Sequence, residues 1–428
     1  MKPAAQIQAA IELLELIEDT KSPADRLMAQ YFRDHRYIGS KDKAAISEWL
    51  YTALRRKATL TWQAEQLGLP IEPRSILAVA VKHSDDVVVT EMFNGEQYAP
   101  NKLSHSEKTA LARLGEINIS DAPDWVRLNI PEWLAPKLSR SLGDDFEAEM
   151  LALQNRATTD IRVNTLKATR EELIKELESQ GFKPQVTPVS ENGLRFSTRV
   201  SLFNQNSFKN GWFEVQDEGS QLLAAVCDVK PGMRVVDFCA GAGGKTLALS
   251  AMMQNKGVLH ACDVHSKRLE NLGKRTKRAG VHNVQTHLLS SERDKWVKRN
   301  VGKMDVVLID APCTGTGTWR RSPDAKWNLQ EEDLNNLIKV QNDILESAAR
   351  LLKPGGKLFY ATCSLLEDEN EQQIELFLSE NKGFSAGKIT TLDVNDDLYY
   401  LRNHQLRTYP AKSNMDGFFV AALEKSSE

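Results

Sequence analysis

Cysteine is scarce in this chain, and its arrangement excludes several classes of protein. The five cysteines all lie between positions 227 and 363, and no two of them form a CxxC pair. An odd number of thiols without paired spacing argues against the disulfide scaffold of a secreted domain. No cluster of cysteine and histidine has the spacing of zinc ligands, so we expect no metal site. We therefore expect a reduced, cytoplasmic protein.

Long apolar runs and a strong net charge are missing as well. The first apolar stretch is interrupted by Glu12, Glu15, Glu18 and Asp19, so we predict neither a secretory signal nor a membrane span. The formal net charge of -3 excludes a polycation, and a surface for nucleic acid would have to be a local patch. We expect the chain to act as a monomer.

The length of 428 residues allows two or three domains, and the sequence pattern predicts three. Apolar residues at helical spacing place a helical domain at residues 1–140. Residues 141–210 combine a connector with short strands and one helix, which indicates a small α+β domain. Residues 211–428 alternate strands with helices, which is typical of a Rossmann-like α/β domain with a doubly wound parallel sheet. Strands of this sheet are predicted at 234–238, 258–262, 284–289, 304–309 and 357–361.

A glycine-rich loop follows the first predicted strand of the α/β domain. It consists of Cys239, Ala240, Gly241, Ala242, Gly243, Gly244 and Lys245. Glycines let backbone N–H groups face a ligand at the start of a helix. A Walker A phosphate loop needs glycine where Cys239 stands, and the third glycine of a dinucleotide-binding motif is missing. The loop therefore disfavours nucleotide triphosphates and dinucleotides as ligands.

An acidic residue stands where nucleoside-binding α/β folds place one. Asp263 ends the second predicted strand, about 20 residues after the loop. S-adenosylmethionine has no phosphate, and it needs only a tight turn and an acid for its ribose. The loop and Asp263 together favour S-adenosylmethionine as cofactor, with a plain strand-to-helix turn as the alternative.

Two cysteines follow the ends of predicted parallel strands. Asp310 and Cys313 follow the fourth strand, and Cys363 follows the fifth. Because an open α/β sheet places its reacting groups at the carboxyl ends of its strands, we expect both thiols to face one crevice. A free cysteine is more commonly a small buried apolar residue. We predict that ordinary role for the remaining three, Cys227, Cys239 and Cys262.

The paired cysteines suit a reaction at carbon 5 of a pyrimidine. That carbon is too electron-poor to attack a methyl sulfonium directly, and a thiolate that adds at carbon 6 makes it nucleophilic. We predict that Cys363 is this nucleophile and that Asp310 acts near ring nitrogen 3. Cys313 would remove the carbon-5 proton, directly or through water. Lys245 is the candidate cation that favours the thiolate.

Taken together, these motifs resemble the Nol/Nop/Sun (Fmu-type) RNA 5-methylcytosine methyltransferases. The resemblance lies in the order and spacing of DFCAGAGGKT, ACD, DAPCTGTG and YATCS, and it covers residues 160–424. It implies a class I S-adenosylmethionine-dependent methyltransferase domain, in which Cys363 is the nucleophile and Cys313 assists product release. It also implies a cofactor site formed by the loop from Cys239 to Lys245 with Asp263, Arg268 and Asp310.

Two positions depart from the family's pattern. The family's loop reads Ala-Ala-Pro-Gly-Gly, whereas this chain has Ala-Gly-Ala-Gly-Gly from Ala240 to Gly244. The family often has an acid near the adenine after the third strand, where this chain has Ser290 and Ser291. We predict that Ser290 hydrogen-bonds the adenine instead. These departures leave open a non-catalytic RNA-binding assembly factor, while a nicotinamide dehydrogenase is disfavoured by the missing third glycine.

The predicted substrate is RNA. The stretch Asp42–Arg55 resembles the NusB-like RNA-binding domain of the bacterial ribosomal-RNA branch, which favours 16S rRNA over transfer RNA. The target base has to be unpaired or flipped out of its stack before a thiol can reach it. We predict that charged, amide and aromatic side chains contact phosphate or stack on a base. They are Arg162, Asn164, Lys167, Arg320, Arg321, Lys326 and Trp327.

Overall fold

Two units account for the described residues of the computed structural model, which are 1–198, 200–402 and 404–427. Unit 1 contains Met1–Asn155 and a second segment, Trp319–Glu331. Unit 2 contains Arg156–Thr318 and the chain from Glu332 onward. The chain therefore leaves unit 2 shortly after Cys313 and returns to it within fourteen residues, a connection that the sequence pattern does not reveal.

Unit 1 is helical. In α3, residues Ile46, Leu50, Ala53 and Leu54 are spaced so that they share one face, and that face is buried. A capping box between Ser104 and Glu107 begins α7. The α-helices are α1 Pro3–Thr20, α2 Ala24–Asp34, α3 Ser40–Arg55, α4 Lys57–Gln66, α5 Pro73–Lys82, α6 Val89–Met92, α7 His105–Ala112, α8 Asp124–Arg127, α9 Ala135–Leu142 and α10 Phe146–Leu153. Short 3-10 helices lie at Arg113–Glu116, Ile119–Asp121, Glu132–Leu134 and Gly143–Asp145.

A small antiparallel sheet begins unit 2. Its strands are β1 Thr159–Val163, β2 Gln185–Val186, β3 Gly193–Phe196 and β4 Phe213–Val215, in the order β2-β3-β1-β4. Helix α11, Arg170–Ser179, begins at a capping box of Thr169 and Glu172 and buries Leu173 and Leu177 against this sheet. A short helix, α12, spans Asn206–Lys209.

The second sheet of unit 2 is the Rossmann-like sheet that the sequence predicts. Its parallel part has the order β7-β6-β5-β8-β9, and antiparallel strands extend it beyond β9 in the order β13-β12-β11, while β10 pairs with β13. Each predicted strand is present, whereas the antiparallel strands are absent from the sequence prediction. The strands are β5 Arg234–Asp237, β6 Val258–Asp263, β7 Val284–Leu288, β8 Met304–Asp310, β9 Leu352–Thr362, β10 Phe384–Ala386, β11 Tyr399–Arg402, β12 Gln405–Thr408 and β13 Phe418–Lys425.

Both faces of this sheet are covered. Along β8, Val306 and Leu308 belong to one apolar cluster, and Val307 and Ile309 belong to the other. Neighbouring residues of a strand point to opposite faces, so their common burial requires helices on both sides. The remaining helices are α13 Glu218–Ala225, α14 Gly244–Met252, α15 Ser266–Ala279, α16 Lys295–Arg299, α17 Ala325–Asn328 (which belongs to unit 1), α18 Glu331–Ala349, α19 Glu371–Glu380 and α20 Pro410–Ser413, with 3-10 helices at Thr316–Thr318 and Glu367–Glu369.

A helix has to be both long and apolar to cross a membrane. Across the described ranges, every helix is either too short or too polar to cross a bilayer.

Candidate active site

A cavity of about 430 Å³ lies at the carboxyl ends of the parallel strands in unit 2. Asp263, Arg268 and Asp310 line it together with both predicted reactive cysteines, Cys313 and Cys363. The doubly wound sheet explains this convergence, because all parallel strands present their carboxyl ends along the same edge.

The glycine loop turns between β5 and α14 at one side of the cavity. The backbone N–H of Gly241 donates to Oδ2 of Asp263 at 2.8 Å, and that of His265 donates to Oδ1 at 2.8 Å. Asp263 therefore joins the loop to the turn that follows β6. Gly243 has φ of +89°, and a Cβ on it would lie 2.7 Å from Cγ of Leu272. Only glycine fits at this position. The proline that precedes the two glycines in the family's loop is replaced by Ala242 in this chain.

Lys245 forms an ion pair with Asp310. Its Nζ lies 2.7 Å from Oδ2 of Asp310, and the lysine side chain is 9% exposed. Burial alone would lower the pKa of Lys245, but the charge and hydrogen bond of Asp310 raise it above its usual value. The ammonium group is therefore charged, and it fixes the carboxylate that ends β8.

The two thiols lie side by side. The Sγ atoms of Cys313 and Cys363 are 3.4 Å apart, although 50 residues separate them in the chain. The hydrogen bond to Cys363 and burial raise the pKa of Cys313 well above its ordinary value. A thiol at Cys313 can therefore hydrogen-bond the sulfur of Cys363. Two thiols at this distance could both act on one molecule bound in the cavity.

Asp237, which the sequence does not single out, ends β5 next to the cavity-lining Phe238 and is fully buried. Its Oδ2 accepts a hydrogen bond of 2.7 Å from the Thr246 hydroxyl. Burial, together with the charges of Asp310 and Asp263, raises the pKa of Asp237 to about 7. An aspartate that closes a strand just before a glycine loop is the signal that could have identified it.

The predicted cofactor residues separate into two groups. Cys239, Gly241, Asp263, Arg268 and Asp310 line the cavity. The other members of the loop form its turn and the first turn of α14 instead of the cavity wall; they are Ala240, Ala242, Gly243, Gly244 and Lys245.

Ser290 is a correction to the prediction of an adenine contact. It is exposed, and both its backbone N–H and its hydroxyl donate to Oδ2 of Asp294, at 3.0 and 2.7 Å. The neighbouring Ser291 and Glu292 line the cavity in its place. The hydroxyl of Ser347 donates to the backbone oxygen of Glu292 and fastens this turn to α18. A carboxylate therefore is present beyond β7, two residues later than the serine that the motif pattern indicates.

Two predicted RNA contacts in the small domain are buried, which also corrects the prediction. Arg162 donates from Nε to Oε1 of Gln216 at 2.7 Å, and burial lowers its pKa to about 10. The amide of Asn164 donates to the backbone oxygens of Gly211 and Ala279, both at 2.8 Å. Asn164 thereby links the small sheet to the end of α15, and neither of the two buried side chains offers an exposed phosphate contact. Lys167 is exposed, and its contact with RNA stays a prediction.

The predicted RNA contacts after Cys313 belong to unit 1. Lys326 is 3% exposed, and its Nζ donates to the backbone oxygen of Arg55 at 3.1 Å. Burial lowers the pKa of Lys326 to about 7. Nε1 of Trp327 donates to the backbone oxygen of Leu54 at 2.6 Å. Both residues therefore cap the end of α3, which overturns the prediction that they are presented to RNA. Arg320 is buried and Arg321 half-buried.

Acidic, histidine and cysteine side chains are the candidate metal ligands of a protein. In the described part of the chain, no three of them come close enough together to hold an ion.

The fold and the cavity together define an α/β methyltransferase. Comparison with known proteins specifies it further. The family described as 16S rRNA methyltransferase RsmB/F matches residues 224–424, and the ferredoxin-like domain of the same proteins matches residues 130–202. The chain belongs to this RsmB/F methyltransferase family.

Relatives match along most of the chain. A probable ribosomal RNA small subunit methyltransferase B from Synechocystis is 27% identical over 98% of this chain and 99% of its own length. The crystal structure of PH0851 has a TM-score of 0.79 at 29% identity and covers 99% of both chains. A methyltransferase homologue from Pyrococcus horikoshii has a TM-score of 0.61 at 30% identity, over 72% of this chain and all of its own. The predicted fold and family are thereby confirmed.

Proposed function

We propose that this chain transfers a methyl group from S-adenosylmethionine to carbon 5 of a cytosine in RNA. The observation that carries the proposal is the pair of thiols, with Sγ atoms 3.4 Å apart, in a cavity that Asp263 and Asp310 also line. An oxygen or nitrogen acceptor is nucleophilic enough to take the methyl group without help from a thiol. Carbon 5 of cytosine becomes nucleophilic only after a thiolate has added to the ring.

The residues divide the work as follows. The Cys363 thiolate adds to carbon 6, and the electron pair of the 5,6 double bond becomes available at carbon 5. Asp310, held by Lys245, accepts a hydrogen bond from the amino group beside ring nitrogen 3, and the charged Lys245 balances the negative charge that develops there. When bound, S-adenosylmethionine supplies the methyl group as an electrophilic sulfonium. Cys313, after passing its own proton to water, then takes the proton from carbon 5, directly or through water, and the carbon–sulfur bond breaks to return the Cys363 thiolate.

The cofactor would lie along the lining residues of the cavity. Asp263 suits the ribose hydroxyls, and the turn at Gly241 provides the close backbone approach. Cys239 and Arg268 line the same wall. We infer that Glu292, which lines the cavity, would accept a hydrogen bond from the adenine amine, the role that the sequence predicts for Ser290.

We propose 16S ribosomal RNA as the substrate, with transfer RNA as the other candidate. The name of the Synechocystis relative supports the first, since it refers to the small ribosomal subunit. The resemblance of Asp42–Arg55 to a NusB-like domain points the same way. We also propose the three-domain division at residues 140 and 210, in which the helical domain and the small α+β domain bring RNA to the cavity.

The test is methylation of 16S rRNA and of transfer RNA by the wild type and by Cys363→Ala. We expect 5-methylcytosine in 16S rRNA with the wild type and none with the variant, while both bind S-adenosylmethionine equally in a calorimetric titration. Cys227→Ala is the matched control, because Cys227 is buried away from the cavity and should keep full activity. Full activity in Cys363→Ala would refute the proposal, and a wild type that binds no cofactor would indicate an assembly factor.

A further inference from the structure

A buried carboxylate lies directly behind the two cysteine loops. Glu369 ends the 3-10 helix Glu367–Glu369 and is 0% exposed. Its Oε1 accepts hydrogen bonds of 2.9 Å from the backbone N–H of Thr314 and of 2.9 Å from Nε2 of Gln341. Its Oε2 accepts the hydroxyl of Thr314. Thr314 follows Cys313 directly. Glu369 therefore holds the loop that carries Cys313 through both the backbone N–H and the hydroxyl of Thr314.

The next residue, Asn370, holds the other loop. It is also 0% exposed. Its Nδ2 donates to the backbone oxygen of Ser364 at 2.9 Å, and its Oδ1 accepts the hydroxyl of Thr362. Thr362 and Ser364 flank Cys363, so both neighbours of that cysteine are bound to one amide. Two consecutive buried side chains thus hold the two segments whose thiols face each other.

The pair is itself anchored to the sheet. The hydroxyl of Tyr360, in β9, donates to the backbone oxygen of Glu369 at 2.7 Å. Gln341, in α18, also donates from Nε2 to the backbone oxygen of Pro312 at 2.9 Å. The backbones of both cysteine loops are therefore held by hydrogen bonds to one buried corner of the fold, and not by solvent-exposed contacts.

A carboxylate is the group that this corner requires. Glu369 meets three donors and faces no acceptor in these contacts, and an ionised carboxylate has only acceptors to offer. Burial raises the pKa of Glu369, and the hydrogen bonds from Ser364 and Thr314 oppose that rise. Such a group is costly unless its hydrogen bonds are kept, which argues that its presence serves the geometry of the loops.

We propose that Glu369 and Asn370 form a positioning pair that sets the distance between the Cys313 and Cys363 thiols. The catalytic part of this inference rests on the proposed function, in which those thiols react with one base. The geometric part does not, since the thiol distance can be measured without RNA. Substitution of the pair would leave both cysteines in the sequence, but their sulfur atoms would lie farther apart.

The first test measures the thiol distance by itself. Phenylarsine oxide loses water and bridges two thiols when their sulfur atoms are close, and a single thiol holds it weakly. We expect tight binding by the wild type, and loss of that binding in Cys313→Ala. Glu369→Ala should weaken it at least about tenfold, and Glu369→Gln should weaken it less, because one acceptor oxygen remains. Glu375→Gln, which removes an exposed carboxylate from α19, is the matched control and should bind as the wild type does.

The second test measures catalysis. We expect Glu369→Ala to lower kcat for RNA methylation by about tenfold to a hundredfold, the cost of displacing a reacting group by about 1 Å. KM for RNA and for S-adenosylmethionine should stay unchanged, since Glu369 is not among the residues that line the cavity. Partial rescue by Glu369→Gln would separate positioning from a general loss of packing.

Outcomes distinguish this inference from the proposed function. If the wild type binds phenylarsine oxide as expected but methylates no cytosine, the proposed function fails and the positioning pair stands. If folded Glu369→Ala retains both wild-type arsenical binding and wild-type kcat, the positioning pair is refuted. Should Glu369→Ala not fold, Thr314→Val removes one of the same hydrogen bonds and should change both measurements in the same direction. Unchanged values in a folded Thr314→Val would then refute the pair.

Discussion

Replacing Asp237 by asparagine should remove a pH-dependent cost from the fold. The aspartate is fully buried, and one oxygen, Oδ1, has no hydrogen-bond partner among the described residues. Its pKa is about 7 in the folded protein, against 3.8 for an ordinary aspartate. The folded state therefore binds this proton more tightly than the unfolded state. Its stabilising contribution is fully present below about pH 4 and is lost as the pH rises through about 7.

The magnitude follows from the two pKa values of Asp237. A difference of about three pH units corresponds to about 4 kcal/mol at 1.36 kcal/mol per unit, of which roughly 2.5 kcal/mol falls between pH 5 and pH 8. Asparagine has nearly the same shape as the protonated acid, and its oxygen can still accept from Thr246. We therefore expect Asp237→Asn to gain stability relative to the wild type as the pH rises from 5 to 8.

Hydrogen exchange measured by mass spectrometry gives this stability locally. The peptide that covers β5 and α14 reports the free energy of opening around Asp237, without the helical unit contributing. Wild type and Asp237→Asn are compared at pH 5 and pH 8, with intrinsic exchange rates corrected for pH. A difference between the two proteins that stays constant between those pH values would show that Asp237 does not titrate there, and the reasoning from burial would be wrong.

Two further predictions concern the cavity. Lys245→Met should lower kcat by about a hundredfold, because it removes the cation that holds Asp310, and a single-turnover methylation assay measures this; an unchanged rate would contradict the role of the ion pair. Glu292→Gln should weaken calorimetric binding of S-adenosylmethionine by about tenfold, as expected for loss of one hydrogen bond to a charged group, whereas Ser290→Ala should leave it unchanged; the reverse order would restore the original prediction for Ser290.

Much of the α/β domain could be predicted because its parallel strands are buried on both faces. Segments such as Val306–Ile309 appear in the sequence as apolar runs that end at the chemical motifs. The crevice position of Cys313 and Cys363 follows because parallel strands present their carboxyl ends along one edge of the sheet. The antiparallel strands β10 to β13 lack this regular alternation with helices, and their pairing with β9 depends on contacts that are distant in sequence.

The errors have a common physical origin. The sequence predicts that Arg162 and Lys326 are exposed, because charged side chains usually lie at the surface. In the structure both side chains are buried and hydrogen-bond to uncharged oxygens. Such partners are distant in sequence, so periodicity and motif spacing give no indication of them. Ser290 and Glu292 differ by two positions in one turn, and the hydrogen bonds of Ser290 to Asp294 decide which of them reaches the cavity.

The proposed reaction requires that Cys363 bond covalently to cytosine and that Cys313 permit its release. The most direct measurement is the fate of Cys313→Ala incubated with 16S rRNA and S-adenosylmethionine, analysed on a denaturing gel and by mass spectrometry of the attached peptide. We expect a band of protein joined to RNA, with the nucleotide on Cys363, and the loss of this band in the double variant Cys313→Ala, Cys363→Ala. A covalent species attached at another residue, or none while methylation proceeds, would contradict it.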